Sequence, residues 1–391
     1  MNRSAPLDAQ DAQAVIDAAD GDAPSLSSLQ RMASVVAAIL ALLLLAYMAW
    51  WGLTALQLRA GVLDWMAARQ AEGYRVAYSR IAVGGFPTTA RVTVKAPTIA
   101  APDGRALSWS WVGRKAVIEL DPFRPDTVAV RLVGDDIVSI NIDGKLRTYR
   151  GVAEELTLSL RGGSGPGGGA LTVRNLTMAA DEPGDALEIG DLRATAETGE
   201  RPSVAAADAA YAVAIEAAGI RLPRQFDLPL GEVVSHLRAQ AKVAGAFTPA
   251  SDLPAALGRW RDSGGTAEVS HLDVRYGPLV VDGSGTASLD ADMQPVGTFT
   301  VRLEGVQQAL SALAGRGLID EQAAAKARLA LSLLSRPGDS GRPSLSVPVS
   351  LHDRRLSVGP LPLMVVPLIE WPRGPSPRTG AVVPLYGAAA G

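Results

Sequence analysis

The chain has 391 residues, 37 Lys and Arg against 40 Asp and Glu, a net charge of −3 and no cysteine. That balance supplies no basic field to attract nucleic acid. The absence of thiols excludes disulfides, zinc–thiolate centres, iron–sulfur clusters and cysteine nucleophiles.

Residues 1–31 are rich in Ala and Asp and lack an apolar face, which predicts a disordered tail. From Met32 to Leu58 there are 27 residues without a charge, bounded by Arg31 and Arg59. About 20 apolar residues cross the hydrocarbon core of a bilayer. The run is too long, and too far from the start, for a cleaved leader, so it reads as an uncleaved signal-anchor. Tyr47, Trp50 and Trp51 fit one membrane interface. The positive-inside count is nearly neutral and slightly against a cytoplasmic N-terminus: Arg3 and Arg31, with five aspartates, stand before the span, and Arg59, Arg69 and Arg75 after it. A long C-terminal domain translocates largely regardless of such counts, which favours a cytoplasmic N-terminus and the domain outside. Leu53, Leu56, Ala60, Leu63 and Ala67 keep helical spacing, so the helix continues to about 72 and stops at Gly73.

After Tyr74 the period changes to two. Val76, Tyr78 and Arg80 lead a strand to Val83, and Gly85-Phe86-Pro87 turns the chain. Val92 and Val94 alternate with Arg91, Thr93 and Lys95. Trp109 and Trp111 share a face, followed by Ala116, Ile118 and Leu120, then Asp121-Pro122-Phe123. Val128, Val130 and Leu132 form the next strand, and Asp143-Gly144 is a hairpin signal. Residues 162–169 (GGSGPGGG) form a loop. Strands follow at Leu171–Val173 and Tyr211–Ile215, and residues 219–229 read as a linker. Leu237, Ala239, Ala241 and Val243 alternate with polar residues. A short helix spans 253–262 with Trp260. Three hairpin-ordered strands follow at 267–275, 280–290 and 297–303. Helices at 305–316 and 320–334 precede strands at 345–351 and 356–358. The Pro- and Gly-rich end, 371–391, is expected to be disordered.

The expected fold is therefore mainly β with minor α. It has antiparallel, curved sheets with a few C-terminal helices, preceded by one transmembrane helix. Two β-rich lobes are expected, 73–220 and 229–370.

Catalytic chemistry is not advertised. His236, His271 and His352 lack metal-site spacing and read as surface strand residues. The Gly-Ser-Gly runs at 163–165 and 283–285 are not nucleophile elbows. Asp290 and Asp292, with Asp273 and Asp282 as neighbours to check, read as turn formers rather than an acid–base pair. No catalytic residue, metal or cofactor is assigned. Phe86, Trp109 and Trp111 are most simply core, with Trp109 and Trp111 as the candidate contacts for an apolar ligand.

Val83-Gly84-Gly85-Phe86-Pro87 opens a series of motifs that continues at Trp260 with Gly264-Gly265 and at Gly277-Pro278-Leu279. It runs on through Gly285, Leu289-Asp290, Pro295 and Gly297 to Gly359-Pro360-Leu361-Pro362-Leu363. In this order the motifs resemble the bacterial domain-of-unknown-function family 2125, over roughly Ala46 to Leu363. The resemblance implies inner-membrane anchorage with the domain in the periplasm, and no activity. A looser likeness to AsmA-type envelope proteins, which are associated with lipid movement, is an analogy of fold. Two functions are carried forward. One is an apolar-ligand (lipid) binding module in envelope maintenance. The other is a structural or assembly protein that docks another envelope protein along a sheet edge. The partners expected are the bilayer, a bound lipid and other envelope proteins.

Overall fold

The computed structural model describes residues 26–371 except 103–106, 143–144, 163–166, 181–185, 200–208, 225–227, 246–252, 318–319, 323–324, 326–327, 330–335, 338–342, 360, 367 and 370. The chain divides into two units, Met1–Thr54 and Ala55–Gly391. Helix α1 (Leu26–Ala71) is longer than expected, because Leu26–Arg31, expected in the disordered tail, join it. They contain neither Pro nor Gly, so nothing breaks the helical ladder there. Its most apolar part is long enough to cross a membrane and is not buried, whereas Ala55, near the end of the uncharged run, is buried. Of the ends expected to be disordered, 1–31 and 371–391, residues 1–25 and 372–391 lie outside the described residues.

The second unit is mainly antiparallel β. The strand expected from Val76 to Val83 is two strands, β1 (Arg75–Ala77) and β2 (Arg80–Gly84). They separate at Tyr78-Ser79, where the Ser79 N–H donates to the Lys95 carbonyl. β3 (Ala90–Lys95) and β4 (Thr98–Ala100) lie end to end along β5 (Leu107–Asp121), with β2 on β3 and β1 on β4. β5 pairs with β6 (Arg124–Ile142). β7 (Lys145–Val152) and β8 (Glu155–Arg161) share the far edge of β6, and both pair with β9 (Gly168–Ala180). Asp143-Gly144 lies outside the described residues, and Ile142 and Lys145 on either side pair directly.

From β9 each strand pairs with the next in sequence. The series is β10 (Ala186–Thr198), β11 (Ala209–Arg221), β12 (Val233–Ala244), β13 (Thr266–Tyr276), β14 (Leu279–Leu289) and β15 (Pro295–Glu304). The two-residue β16 (Arg336–Pro337) and β15 both pair with β17 (Pro343–His352), and β18 (Arg355–Val358) and β19 (Leu361–Val365) complete the sheet. Every pairing is antiparallel, and together the pairings join the strands into one sheet.

The expected boundary between two lobes at 219–229 is not a boundary in the sheet. Ile220 and Arg221 still belong to β11 and pair with Val234 and Val233 of β12. The Pro- and Gly-bearing segment that reads as a linker is the connection between two paired strands.

Two short helices sit between strands, α2 (Leu253–Asp262) and α3 (Val306–Gly315). The helix expected at 320–334 falls largely outside the described residues, and Glu321, Gln322, Ala325, Arg328 and Leu329 are helical. On α2, Trp260 donates its indole N–H to the Ala244 carbonyl at 2.7 Å, and a Cβ at Gly265 would lie 2.3 Å from its ring. Only glycine lets β13 start there. Asp290 shapes the β14–β15 turn, its Oδ1 accepting the backbone N–H of Asp292 (2.9 Å) and Gln294 (2.7 Å). Gln294 in turn bonds the backbone of Ile369, tying the segment after β19 to this turn.

A buried hydrophobic core lies under the domain part of α1. Met66 packs with Val92, Val94, Ala116 and Ile118, joined by Leu58, Val62, Ile81, Val128, Val130 and Leu132. Fully burying one such valine contributes about 1.5–3 kcal/mol.

Candidate functional site

Residues directly opposite in an antiparallel ladder project to the same face. One row can therefore be followed from strand to strand. It runs Val83, Val92, Ile118, Val130, Leu158, Leu171, Ala194, Ile215, Ala239, Leu272, Gly283, Val301 and Val347. Two residues along each strand, a second row runs from Ile81 through Ala116, Val173, Ala217, Val274 and Leu303 to Leu345. A third runs from Ala90 through Val128, Val213, Val269 and Phe299 to Val358. All three rows are apolar throughout. At about 4.8 Å per strand, the twelve steps of the first row give a band about 58 Å long, measured along the ladder.

The opposite face is polar. A row from Arg131 runs through Thr157, Thr172, Arg193, Glu216, Arg238, Asp273, Asp282 and Arg302 to Ser346. Cross-strand ion pairs lace it. Arg91 and Arg131 both bind Glu119, Arg238 binds Glu216 and Arg221 binds Glu188. Such exposed pairs contribute about 0–1 kcal/mol each, and they keep this face in water.

The apolar face is not sealed evenly. Beneath α1 it is closed, with Val92 0% exposed. Just past the helix Leu158 is 36% and Leu160 47% exposed. From β9 to β18 the apolar positions are mostly half-buried; Val173, Ala217 and Val301 are the buried ones among these rows. Small residues thin the lining, with Ala194, Ala196, Ala239, Ala241, Gly283 and Gly285 on it. Gly283 and Gly285 have a packing reason as well. A Cβ at Gly285 would lie 2.5 Å from the Phe299 ring and 2.3 Å from the Thr298 carbonyl oxygen. Gly285→Val is expected to cost about 1–3 kcal/mol through overpacking, read as a lower midpoint of thermal unfolding.

A line of irregularities crosses the ladder at one end of the band. Asn175 (φ 47°) lies opposite Gly190, Gly190 opposite Gly219 (φ 65°) and Gly219 opposite Ser235. Apolar residues there are spaced by three rather than two: Val173 to Leu176, Ile189 to Leu192, Ala217 to Ile220 and Val234 to Leu237. A period-2 strand would send the second member of each pair to the other face. The extra residue re-aims the chain instead, and positive φ is tolerated by Gly and Asn. The Asn175 amide donates to Glu154 Oε2 at 2.6 Å, which ties the crease to the β7–β8 break.

Beyond that line stand the two tryptophans. Trp111 shares a row with Val138, Tyr149 and Ala180. It lies over Gly113, where a Cβ would come within 2.6 Å of its ring, and donates its indole N–H to Asp136 Oδ1 at 3.1 Å. Trp109 meets Tyr74 at a ring separation of 6.3 Å. Both are half-buried and held by protein groups. Burial pushes the Asp136 carboxyl pKa up, and the neighbouring Asp135 adds to the rise, against the Trp111 hydrogen bond that lowers it. A raised folded pKa means the native state binds that proton more readily than the unfolded chain. Stability at this site therefore falls as pH rises from the ordinary carboxylate range through the raised value, and the cost is constant above it. Asp136→Asn keeps an acceptor for Trp111. It is expected to raise the unfolding midpoint at neutral pH and to flatten its dependence in that window, measured by circular dichroism.

The structure does not assemble the four aspartates. Asp273 and Asp282 are cross-strand partners on the polar face, while Asp290 and Asp292 belong to the β14–β15 turn. Among the described residues no cluster of His, Asp and Glu could hold a metal ion. His236 and His271 are half-buried and His352 is exposed. Phe86, expected in the core, is 48% exposed, because the Gly85-Phe86-Pro87 turn projects past the last pair of β2 and β3. The row structure itself is invisible in the sequence, since alternation fixes faces but not cross-strand partners.

A protein-family model described as an uncharacterized protein conserved in bacteria, DUF2125, matches residues 51–367. No curated protein and no solved structure matches the chain.

Proposed function

The chain belongs to the DUF2125 family, and from that premise we propose that it is a single-pass inner-membrane protein whose periplasmic sheet binds lipid acyl chains in envelope maintenance. The observation that carries this reading is the band of three apolar rows, closed under α1 and half-open beyond it. A band of this kind, with small residues along it, offers apolar surface without polar recognition groups, which suits hydrocarbon rather than a headgroup. The module binds rather than catalyses.

Photo-crosslinking in cells tests it. A photoreactive side chain at Leu158 or Ile215, on the apolar face, is expected to capture phosphate-labelled lipid. The same group at Arg193 or Thr298, on the polar face, is expected to capture none. Crosslinks to protein at the apolar positions, with no labelled lipid, would favour the assembly reading and overturn this one. The placement of the domain has its own test. Alkaline phosphatase fused after Leu363 is expected to be active, and a stable inactive fusion would put the domain in the cytoplasm.

A further inference from the structure

We infer that the β2–β3 and β5–β6 turns form a bilayer-docking edge, with Phe86 and Phe123 inserted into the phospholipid interface next to the point where α1 enters the domain. The inference rests on α1 being the membrane span, and it concerns a surface separate from the apolar band.

The two turns are neighbours, because Ala90, just after the first, pairs with Leu120, just before the second. Both carry an exposed phenylalanine. Phe86 is 48% exposed and Phe123 73%, whereas Pro122 beside it is buried. Neither ring rides on a loose loop. The Thr89 N–H donates to the Gly85 carbonyl at 3.0 Å, and the Phe123 N–H to Asp121 Oδ1 at 2.9 Å. Arg124, also exposed, stands next to Phe123. An aromatic ring beside a cation suits the headgroup region, where apolar and charged groups are met together.

The position of the turns follows from the helix. At its C-terminal end, a Cβ on Gly73 would meet Pro102 at 3.5 Å, and Tyr74 meets Trp109. That end therefore lies beside β4 and the first half of β5. Met66 shares a buried core with Ala116 and Ile118, further along β5. Eleven residues back from Met66, Ala55 stands about 16 Å beyond it at 1.5 Å per residue. Five residues on from Ile118, Phe123 lies about 16 Å beyond it at 3.3 Å per residue. Counted along the two elements, Ala55 and Phe123 therefore stand about equally far from the core that Met66 and Ile118 share.

The depth follows from the sequence. Ala55 belongs to the uncharged run that ends at Leu58, yet it is 1% exposed, with Leu56 beside it 61% exposed. The domain closes around one side of the helix within the last apolar turn of the span. Its turns therefore reach the interface instead of standing off in water.

Because the chain has no cysteine, single labels can be placed on the full-length protein in vesicles of phosphatidylethanolamine and phosphatidylglycerol. Phe86→Cys, Phe123→Cys, Trp50→Cys and Thr298→Cys would each carry an environment-sensitive nitrobenzoxadiazole. Labels at Phe86 and Phe123 are expected to show blue-shifted emission and loss of intensity with lipids spin-labelled near the headgroup, as at Trp50. The label at exposed Thr298 is expected to show neither. If a phenylalanine replacement unfolds the chain, Thr88→Cys and Arg124→Cys give the same reading. Water-like emission at all four turn positions, with a quenched Trp50, would overturn the docking edge and leave the span intact. An unquenched Trp50 would remove the span and the docking edge with it. Neither outcome touches lipid capture at Ile215.

Discussion

Val92→Asp is expected to prevent the domain from folding, whereas Leu160→Asp is expected to cost about 1 kcal/mol or less. Both residues lie on the same apolar face, one row apart. Val92 is 0% exposed, packed among Met66, Val94, Ala116 and Ile118. A carboxylate there has neither a cation nor water, and the penalty, about 5 kcal/mol or more, exceeds what a marginally stable domain can spare. Leu160 is 47% exposed, so a carboxylate there can keep its hydration. Thermal unfolding of the full-length chain in detergent, followed by circular dichroism, reads both. Equal losses at the two sites would mean that the face beyond α1 is a sealed core.

The second large effect is at Trp260. Trp260→Ala is expected to cost about 3–5 kcal/mol, lowering the unfolding midpoint by on the order of 10 °C. The ring is 6% exposed and rests on Gly265, and its N–H satisfies the Ala244 carbonyl. Truncation leaves both a cavity and an unpaired carbonyl. Trp260→Phe separates the two contributions, since most of the ring area is kept and only the hydrogen bond goes. Its expected cost is about 1 kcal/mol. A Phe variant as unstable as the Ala variant would mean that the indole N–H, rather than the ring packing, dominates.

Much of the fold was legible because alternation is a local signal. Leu237, Ala239, Ala241 and Val243 announce β12 by period alone, and Val306–Gly315 announces α3 by its helical stripe. The uncharged run announces a helix that can span a membrane. What failed was inference across distance. Residues 219–229 have the composition of a linker, yet Ile220 and Arg221 are paired strand. Pairing depends on partners more than ten residues away, and composition does not record them. An aromatic residue such as Phe86 reads as core from the sequence. Its exposure follows from the turn that carries it past the end of the β2–β3 ladder. The tryptophans show the opposite case. Alternation put Trp109 and Trp111 on one face, and only the structure shows their partners, Tyr74 for one and Asp136 and Gly113 for the other. The band itself needs register, and register came only with the pairings.

Retained phospholipid tests the apolar band most directly. The full-length chain and the double variant Ile215→Glu/Val269→Glu would be extracted under the same mild detergent and assayed for phosphorus per chain. The span is identical in both, so lipid around it cancels. The account predicts that the variant keeps its unfolding midpoint within a few degrees and loses phosphorus relative to the parent chain. Equal phosphorus in two folded proteins would contradict it.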